Sequence, residues 1–291
     1  MAVQDLKLEQ SLFVPTIPFR GEGRNPLPFL KEENMINEQA YFAATTLQFI
    51  QKARVAAQVR ETHLEKNGKS CELTKQVVER AGKFEEWLND EIGKYVREHP
   101  AYDWFSKVKG VGNLNIGKVL SLIDIERATM VSKLWRYAGI GVVDGKAERQ
   151  QKGKKLHYNK MLKSMCWRLG KSLIRAKGEY YKYYQEKKRE YERRFREEGK
   201  EIISATKLPK DKRGLKTETD EFFALGHLDM MAMRKMIKLF LSHLWLIWRK
   251  AEGLSITAPY VHAIKGHSDY RPPEDFMEPV TEEKKQVEAQ L

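Results

Sequence analysis

The sequence predicts an all-α fold, and three observations lead to this prediction. Apolar residues recur at intervals of three and four over most of the chain, which is the period of one face of an α-helix. No segment shows the alternation of apolar and polar residues that is typical of a half-buried strand. The 291 residues are 41% hydrophobic and 32% charged, a composition that supplies both a core and a polar surface. This length allows one or two domains.

The chain is expected to begin with an extended, proline-rich arm over residues 1–40. Four prolines and two glycines between residues 15 and 28 would interrupt any long helix there. Such an arm could wrap a partner or another part of the fold. Residues 259–291 are polar, and we expect them to form a flexible tail.

Residues 41–99 are predicted to form an antiparallel helical hairpin. One amphipathic helix covers residues 41–66 and ends at an Asn-Gly pair, a typical C-terminal stop. A second covers residues 72–99 and ends before Pro100. The loop between them is short, so the helices pack against each other. Because each helix is long relative to its surroundings, its apolar stripe needs a further partner, and we expect a homodimer.

A glycine turn, Val108-Lys109-Gly110-Val111-Gly112, is the most informative motif in the chain. It separates two short segments with helical periodicity, which is how a helix-hairpin-helix appears in sequence. Glycine adopts positive φ without steric cost, so the turn can direct its backbone N–H groups outward. At the start of the next helix, such N–H groups form a phosphate site. Gly-x-Gly also occurs in ordinary loops, so an ordinary turn is the alternative.

Residues 100–200 are predicted to form one DNA-binding domain that contains this hairpin. After the hairpin come a short helix at 132–141, closed by glycine, and a basic loop at 142–158. One long helix at 159–199 follows, in which apolar residues almost keep a heptad.

A charged linker at 201–220 is expected to be flexible, and it precedes a closing hydrophobic helix within residues 221–258. The most apolar run of that helix, 239–248, has about half the length that a membrane span needs. We interpret it as a buried helix and expect no membrane partner. The two cysteines, Cys71 and Cys166, form no paired motif, and we expect no secretory signal. A reduced, cytoplasmic setting is therefore predicted.

The positive charge is concentrated in one segment of the chain. The formal net charge is +13, and residues 145–200 hold 19 lysines and arginines but only seven acidic residues, all of them glutamates. This local excess of twelve accounts for almost all of the net charge. Such concentration indicates a footprint for phosphates. The alternative is a solvated helix face with oppositely charged pairs four residues apart.

The predicted nucleic-acid contacts combine the glycine turn with nearby basic side chains. Contacts of this kind hold a duplex by its backbone and carry no sequence code. Tyr181 and Lys182 are further candidates for stacking on bases, whereas Tyr180 and Tyr184 fall on an apolar stripe and are expected in the core. The predicted contact residues are Lys107, Lys109, Gly110, Val111, Gly112, Lys118, Lys146, Arg149, Lys152, Lys154, Lys155 and Lys160.

Several motifs occur in the order seen in one known protein family. They are the His-Pro pair at 99–100, the turn at 108–112, the apolar segment at 119–124, the Leu-Trp-Arg-Tyr-Ala-Gly-Ile-Gly segment at 134–141, the Lys-Leu-His-Tyr-Asn-Lys-Met-Leu segment at 155–162 and the hydrophobic helix at 225–251. Together they resemble the carboxy-terminal half of insertion-sequence transposases of the IS-one-ten type, the DEDD transposases guided by a bridge RNA. The resemblance covers residues 72–200 and 225–260 and rests on order and spacing.

In that family, a RuvC-like domain with four acidic metal ligands comes first. A coiled-coil segment follows, and then a helical domain with the hairpin and a nucleophilic serine. The resemblance implies that Gly110 and Gly112 hold the phosphate-binding turn. It also implies that the helices at 41–99 match the dimerising segment.

Two features depart from the family pattern and bear on catalysis. Residues 1–40 are too short and too proline-rich for a RuvC-like domain, and no serine occurs between Ser132 and Ser164. Ser164 and Asp124 are the only catalytic candidates. A serine on a helix more often bonds its own backbone, and Asp124 is more easily read as a cap of the next turn. Seven histidines lack the spacing of a zinc motif, so we expect neither metal nor cofactor.

The sequence thus predicts a DNA-binding protein related to insertion-sequence transposases, acting in DNA transposition or recombination. Whether it is an enzyme stays open, since no complete catalytic set is visible. One alternative is a catalytic subunit of a split transposase or recombinase whose acidic domain is on another chain. Another is an RNA-binding component of a ribonucleoprotein, with structured RNA as its partner.

Overall fold

The computed structural model describes residues 35–143, 146–147, 150, 153, 156–256 and 271–278. Of the described residues, 65% are helical, which confirms the all-α class. The described part contains eight helices and two small sheets of two strands each. The predicted arm, up to residue 34, and most of the predicted tail lie outside the described residues.

The first two helices form an antiparallel pair. Helix α1 (Met35–Lys66) begins six residues before its predicted start, and α2 (Glu72–Arg97) follows after a turn closed by Gly68, which has a φ of +66°. Arg54 Nε donates to Glu85 Oε1 at 2.5 Å and joins the helices near their middles. This ion pair is partly buried, so it links the helices more firmly than a fully exposed pair would.

Three short helices follow, of which the second packs against α2 and the third against the helix at 225–251. Gly117 allows close approach of the second of them, because an added Cβ would lie 2.6 Å from Ile92 Cγ2 of α2. A hairpin of two-residue antiparallel strands comes next. The bounds are α3 Tyr102–Phe105, α4 Asn113–Leu120, α5 Val131–Tyr137, β1 Val142–Val143 and β2 Lys146–Ala147.

The single helix predicted over 159–199 is wrong, because the structure has two helices there. Helix α6 (Lys160–Ala176) begins at Asn159, whose side chain accepts from two N–H groups of the first turn. It ends at Lys177, which is left-handed with a φ of +57°, and α7 (Glu179–Glu197) starts after Gly178. A Cβ on Gly178 would lie 2.8 Å from Lys109 Cβ. The break therefore brings the end of α6 against the glycine turn.

The segment predicted as a flexible linker, 201–220, contains regular structure instead. Strand β3 (Glu201–Ile203) pairs in parallel with β4 (Phe222–Ala224), and a bridge joins Lys210 to Lys216 between them. These strands also correct the expectation that no strand occurs. Strands of three residues are too short to show alternation in sequence.

Helix α8 (Leu225–Ala251) is the central element of the core. Its buried side chains include Phe240, Leu244 and Trp245, each at most 1% exposed. Near its end, Arg249 is buried and its Nη1 donates to the carbonyl oxygen of Ile125 at 2.7 Å. This contact fixes the loop between α4 and α5. In the described part of the chain, no helix is both long and apolar enough to span a membrane.

Residues 271–278 are held on α7 and α8 through a buried histidine. His243 Nε2 lies 2.9 Å from the carbonyl oxygen of Arg271, and Nδ1 lies 2.6 Å from the Tyr180 hydroxyl. A carbonyl only accepts, so Nε2 carries the proton and Nδ1 accepts from Tyr180. Phe276 packs on the rings of His243 and Tyr180, at centroid distances of 5.0 and 4.5 Å. The segment therefore closes this side of the core.

We expect stability to fall as pH is lowered from 7 to 5. Burial lowers the pKa of both His99 and His243 to about 4, whereas the unfolded chain protonates histidine near pH 6.5. The unfolded state therefore binds more protons between these values, and the stabilisation present at pH 7 is lost as pH falls through 6.5 towards 4. Urea denaturation at several pH values measures this, with a slope of up to about 1.4 kcal/mol per pH unit for each histidine.

His243→Gln should reduce this pH slope, whereas His157→Gln, at an exposed position, should leave it unchanged. An equal slope in the wild type and in His243→Gln would contradict the attribution of this pH dependence to His243.

Candidate nucleic-acid interface

The glycine turn is formed at Gly110, where both the backbone angle and the available space require glycine. Its φ is +91°, in the region that other residues rarely adopt. An added Cβ would lie 2.7 Å from Ala176 Cβ and 3.0 Å from Leu173 Cα. The turn therefore packs directly on the last turn of α6.

Gly112 has a different environment from Gly110. It is exposed, its φ is −90°, and nothing lies within 4 Å of an added Cβ. It precedes α4, and its carbonyl accepts from the N–H groups of Asn115 and Ile116. The N–H groups of Gly112, Asn113 and Leu114 have no hydrogen-bond partner within the described residues. The open side of the turn thus presents the unsatisfied donors of a helix N-terminus.

Three basic residues lie near the turn and the start of α4, and one of them, Arg97, was not predicted. Lys107 is half-buried and Lys109 is exposed. Arg97, at the end of α2, lies close to the start of α4, because a Cβ on Gly93 would be 3.4 Å from Arg97 Nη1 and 3.8 Å from Asn113 Nδ2. No sequence pattern indicated Arg97, because its position depends on how α2 and α4 pack.

The described C-terminal segment reaches the same turn. Glu278 donates its backbone N–H to the carbonyl oxygen of Lys107 at 2.8 Å. Its carboxylate lies 3.3 Å from Lys109 Nζ, in a pair exposed to solvent. The ammonium of Lys109, next to Gly110, is therefore already paired with a carboxylate. An incoming phosphate would compete with that carboxylate.

Lys118, a predicted contact, is buried and lies outside the surface that a polyanion could reach. Its side chain is on α4 and the residue is 3% exposed. Its pKa is lowered to about 8, mainly by burial and also by the positive charge of Arg168, against the opposing effect of Glu85. Lysine is rarely buried without an anionic partner, which is why the sequence suggested an exposed position.

Helix α6 carries a row of basic residues that we call the cationic stripe. Its members are exposed at helical spacing, and no acidic residue occurs between 156 and 178. None of them forms an ion pair with a described residue. The stripe consists of Lys160, Arg168, Lys171, Arg175 and Lys177. Only Lys160 was predicted, although the absence of acids around the others was visible in the sequence.

The cations of helix α7 are mostly paired with acids, unlike those of α6, although both helices belong to the same basic segment. Six of the seven cations of α7 are paired with acids on the same helix, just after it or on α8, and Arg189 alone forms no ion pair with a described residue. The pairs are Lys182–Glu179 at 2.6 Å, Lys187–Glu190 at 2.8 Å, Lys188–Asp229 at 2.7 Å, Arg193–Glu197 at 3.8 Å, Arg194–Glu198 at 3.5 Å and Arg196–Glu192 at 2.9 Å. The solvated, paired face considered for the whole segment therefore describes α7 but not α6.

The glycine turn and the cationic stripe lie side by side. Gly110 packs on the last turn of α6 at Leu173 and Ala176, and Lys177 follows at the cap. Gly178, the next residue, packs against Lys109. The glycine turn therefore lies at the C-terminal end of the stripe.

Other predicted residues are placed as follows. Arg149, Lys152, Lys154 and Lys155 lie outside the described residues, and of Lys146 only the backbone, in β2, is described. Val111 is half-buried against the core.

The stacking candidates are constrained by the fold. Tyr180 is buried at 1% exposure, and the Tyr184 hydroxyl donates to Asp229 Oδ1 at 2.9 Å. Tyr181 is half-buried and accepts from Gln185, while the ammonium of Lys182 is paired. These contacts favour a structural position for the tyrosines over base stacking.

The two catalytic candidates lie on different elements. Asp124 caps the turn after α4, where its carboxylate accepts from the N–H of Arg127 at 3.1 Å. Ser164 is exposed on α6, between Lys160 and Arg168. Within the described residues, no group of three or more His, Cys, Asp or Glu side chains could hold a metal ion.

Comparisons with family models, curated proteins and solved structures found no match to this chain. The surface itself is therefore the basis for inferring binding.

Proposed function

We propose that this protein binds duplex DNA through its phosphate backbone and acts in DNA transposition or recombination. The observation that carries the binding proposal is the cationic stripe, which has no acidic partner among the described residues and borders the open glycine turn. The resemblance to IS-one-ten-type transposases supplies the process in which the binding is used.

The physical basis is the attraction of phosphates to uncompensated cations and to free amides. Each phosphate that a lysine or arginine neutralises releases condensed counterions. Cations already paired with a carboxylate, as on α7, must first break that pair, so they contribute less. The N–H groups before α4 add directional donors for one phosphate oxygen. Such contacts position a duplex without reading its bases.

Neutralising the stripe should weaken DNA binding more than neutralising α7. Lys171→Gln with Arg175→Gln removes two unpaired cations, and we expect at least a tenfold lower affinity for a random duplex. The slope of log affinity against log salt should fall by about 2, at roughly 0.9 per lost contact. Fluorescence anisotropy across a salt series measures both quantities.

The matched control, Arg193→Gln with Arg196→Gln, removes the same charge from paired positions of α7 and should have little effect. Equal losses in the two variants would mean that only net charge matters and would contradict the proposal. A clear preference of the wild type for structured RNA over duplex DNA would instead support a ribonucleoprotein component.

We further propose that a second copy of the chain covers the outer face of α1 and α2. Large apolar side chains are exposed there although these helices already contribute to the core. They are Phe42, Phe49, Val55 and Val59 on α1, and Leu73, Val77, Phe84 and Trp87 on α2, with exposed fractions from 37% to 70%. Apart from the six residues between Phe49 and Val55, their separations of three, four and seven residues are those of a coiled-coil seam. Exposed apolar surface of this kind is typical of protein interfaces.

Phe49→Glu should convert a dimer to a monomer, because it would bury a charge in that interface. Light scattering coupled to size exclusion gives the mass. Gln58→Glu, an exposed polar position on the same helix, should leave the dimer intact. A monomeric wild type would refute this part of the proposal.

A further inference from the structure

The segment between β3 and β4 forms a compact basic projection, which we call the basic lobe (residues 204–217). The parallel pairing of β3 with β4 fixes both of its ends. Inside it, the Asp211 carboxylate accepts from the N–H groups of Arg213 and Leu215 at 2.9 and 2.8 Å. Gly214, with a φ of +77°, completes this turn. The lobe is therefore a structured tip held by hydrogen bonds.

The charge of the basic lobe is strongly one-sided. It contains five cations and a single acid, Asp211. Lys207, Lys210 and Lys212 are exposed and form no ion pair with a described residue. Arg213 pairs with Asp211 at 3.0 Å, but its side chain is 78% exposed. The acidic residues that could offset this charge lie after the lobe, between residues 218 and 221. Of these, Glu218 already contacts the His227 ring.

The position of the basic lobe relates it to the DNA surface already described. The glycine turn and Lys177 lie at the N-terminal end of α7, whereas the lobe follows its C-terminal end. The 19 residues of α7 correspond to about 28 Å at 1.5 Å per residue. Between the two ends, every cation of α7 except Arg189 is paired within the described residues. Two cationic surfaces thus follow opposite ends of a helix whose length is near the ~34 Å turn of a DNA duplex.

We propose that the basic lobe is a second DNA-contacting element, which binds phosphates of the same duplex that the cationic stripe holds. This inference rests on the proposed function. It predicts that full affinity needs a duplex long enough to reach both surfaces, and that the lobe adds salt-dependent contacts only on such a duplex.

The test compares two duplex lengths with two variants. A 6-bp stem closed by a short loop spans about 20 Å and a 24-bp duplex about 80 Å, at 3.4 Å per base pair. Lys210→Gln with Lys212→Gln should weaken binding to the 24-bp duplex at least fivefold and lower its salt slope by about 2. The same variant should bind the 6-bp stem like the wild type. The stripe variant, Lys171→Gln with Arg175→Gln, should weaken binding to both.

The outcomes separate the two proposals. If the stripe variant weakens binding and the lobe variant does not, the lobe proposal is overturned while the proposed function stands. If neither variant affects binding, both fail. A lobe variant that affects only structured RNA overturns the assignment to duplex DNA. Circular dichroism verifies folding, and Lys207→Gln with Lys212→Gln gives the same comparison if the first pair perturbs the turn.

Discussion

The contact between Gly110 and the last turn of α6 is the constraint on which the candidate interface depends. A side chain at this position would collide with Leu173 and Ala176, and the positive φ excludes most other residues. Because the backbone can approach this closely, the loop before α4 lies against the last turn of α6, at the end that carries Lys177. The left-handed Lys177 and the adjacent Gly178 complete the arrangement, since a side chain at Gly178 would collide with Lys109.

The distribution of acids, rather than of bases, distinguishes the surfaces of this protein. Helices α6 and α7 are both rich in lysine and arginine, but only α7 has carboxylates at the spacings that neutralise them. A phosphate that approaches α6 therefore meets cations with no competing anion within the described residues, apart from the Glu278 carboxylate beside Lys109. Lys118 shows the limit of counting charges, because its ammonium is buried and its pKa is lowered to about 8.

The sequence predicted the long helices well and the local breaks poorly. Periodicity indicated α1, α2 and α8 because each has a continuous apolar face. It missed the break after α6 because the apolar spacing continues from Leu173 through Tyr180, and a lysine rather than a glycine takes the left-handed cap. It missed β3 and β4 because a strand of three residues is too short to show an alternation of apolar and polar side chains. Arg97 and the burial of Lys118 follow from packing between helices, which no local pattern encodes.

The most direct test of the central claim is an amide NMR titration of the protein with a short duplex. We expect the N–H signals of Gly112, Asn113 and Leu114 to shift together with those of Lys171 and Arg175, at one apparent affinity, because phosphates would contact the turn and the stripe on one surface. Signals from the middle of α7 should move little. Shifts confined to α7, or a turn whose signals stay in place while DNA binds elsewhere, would contradict the account.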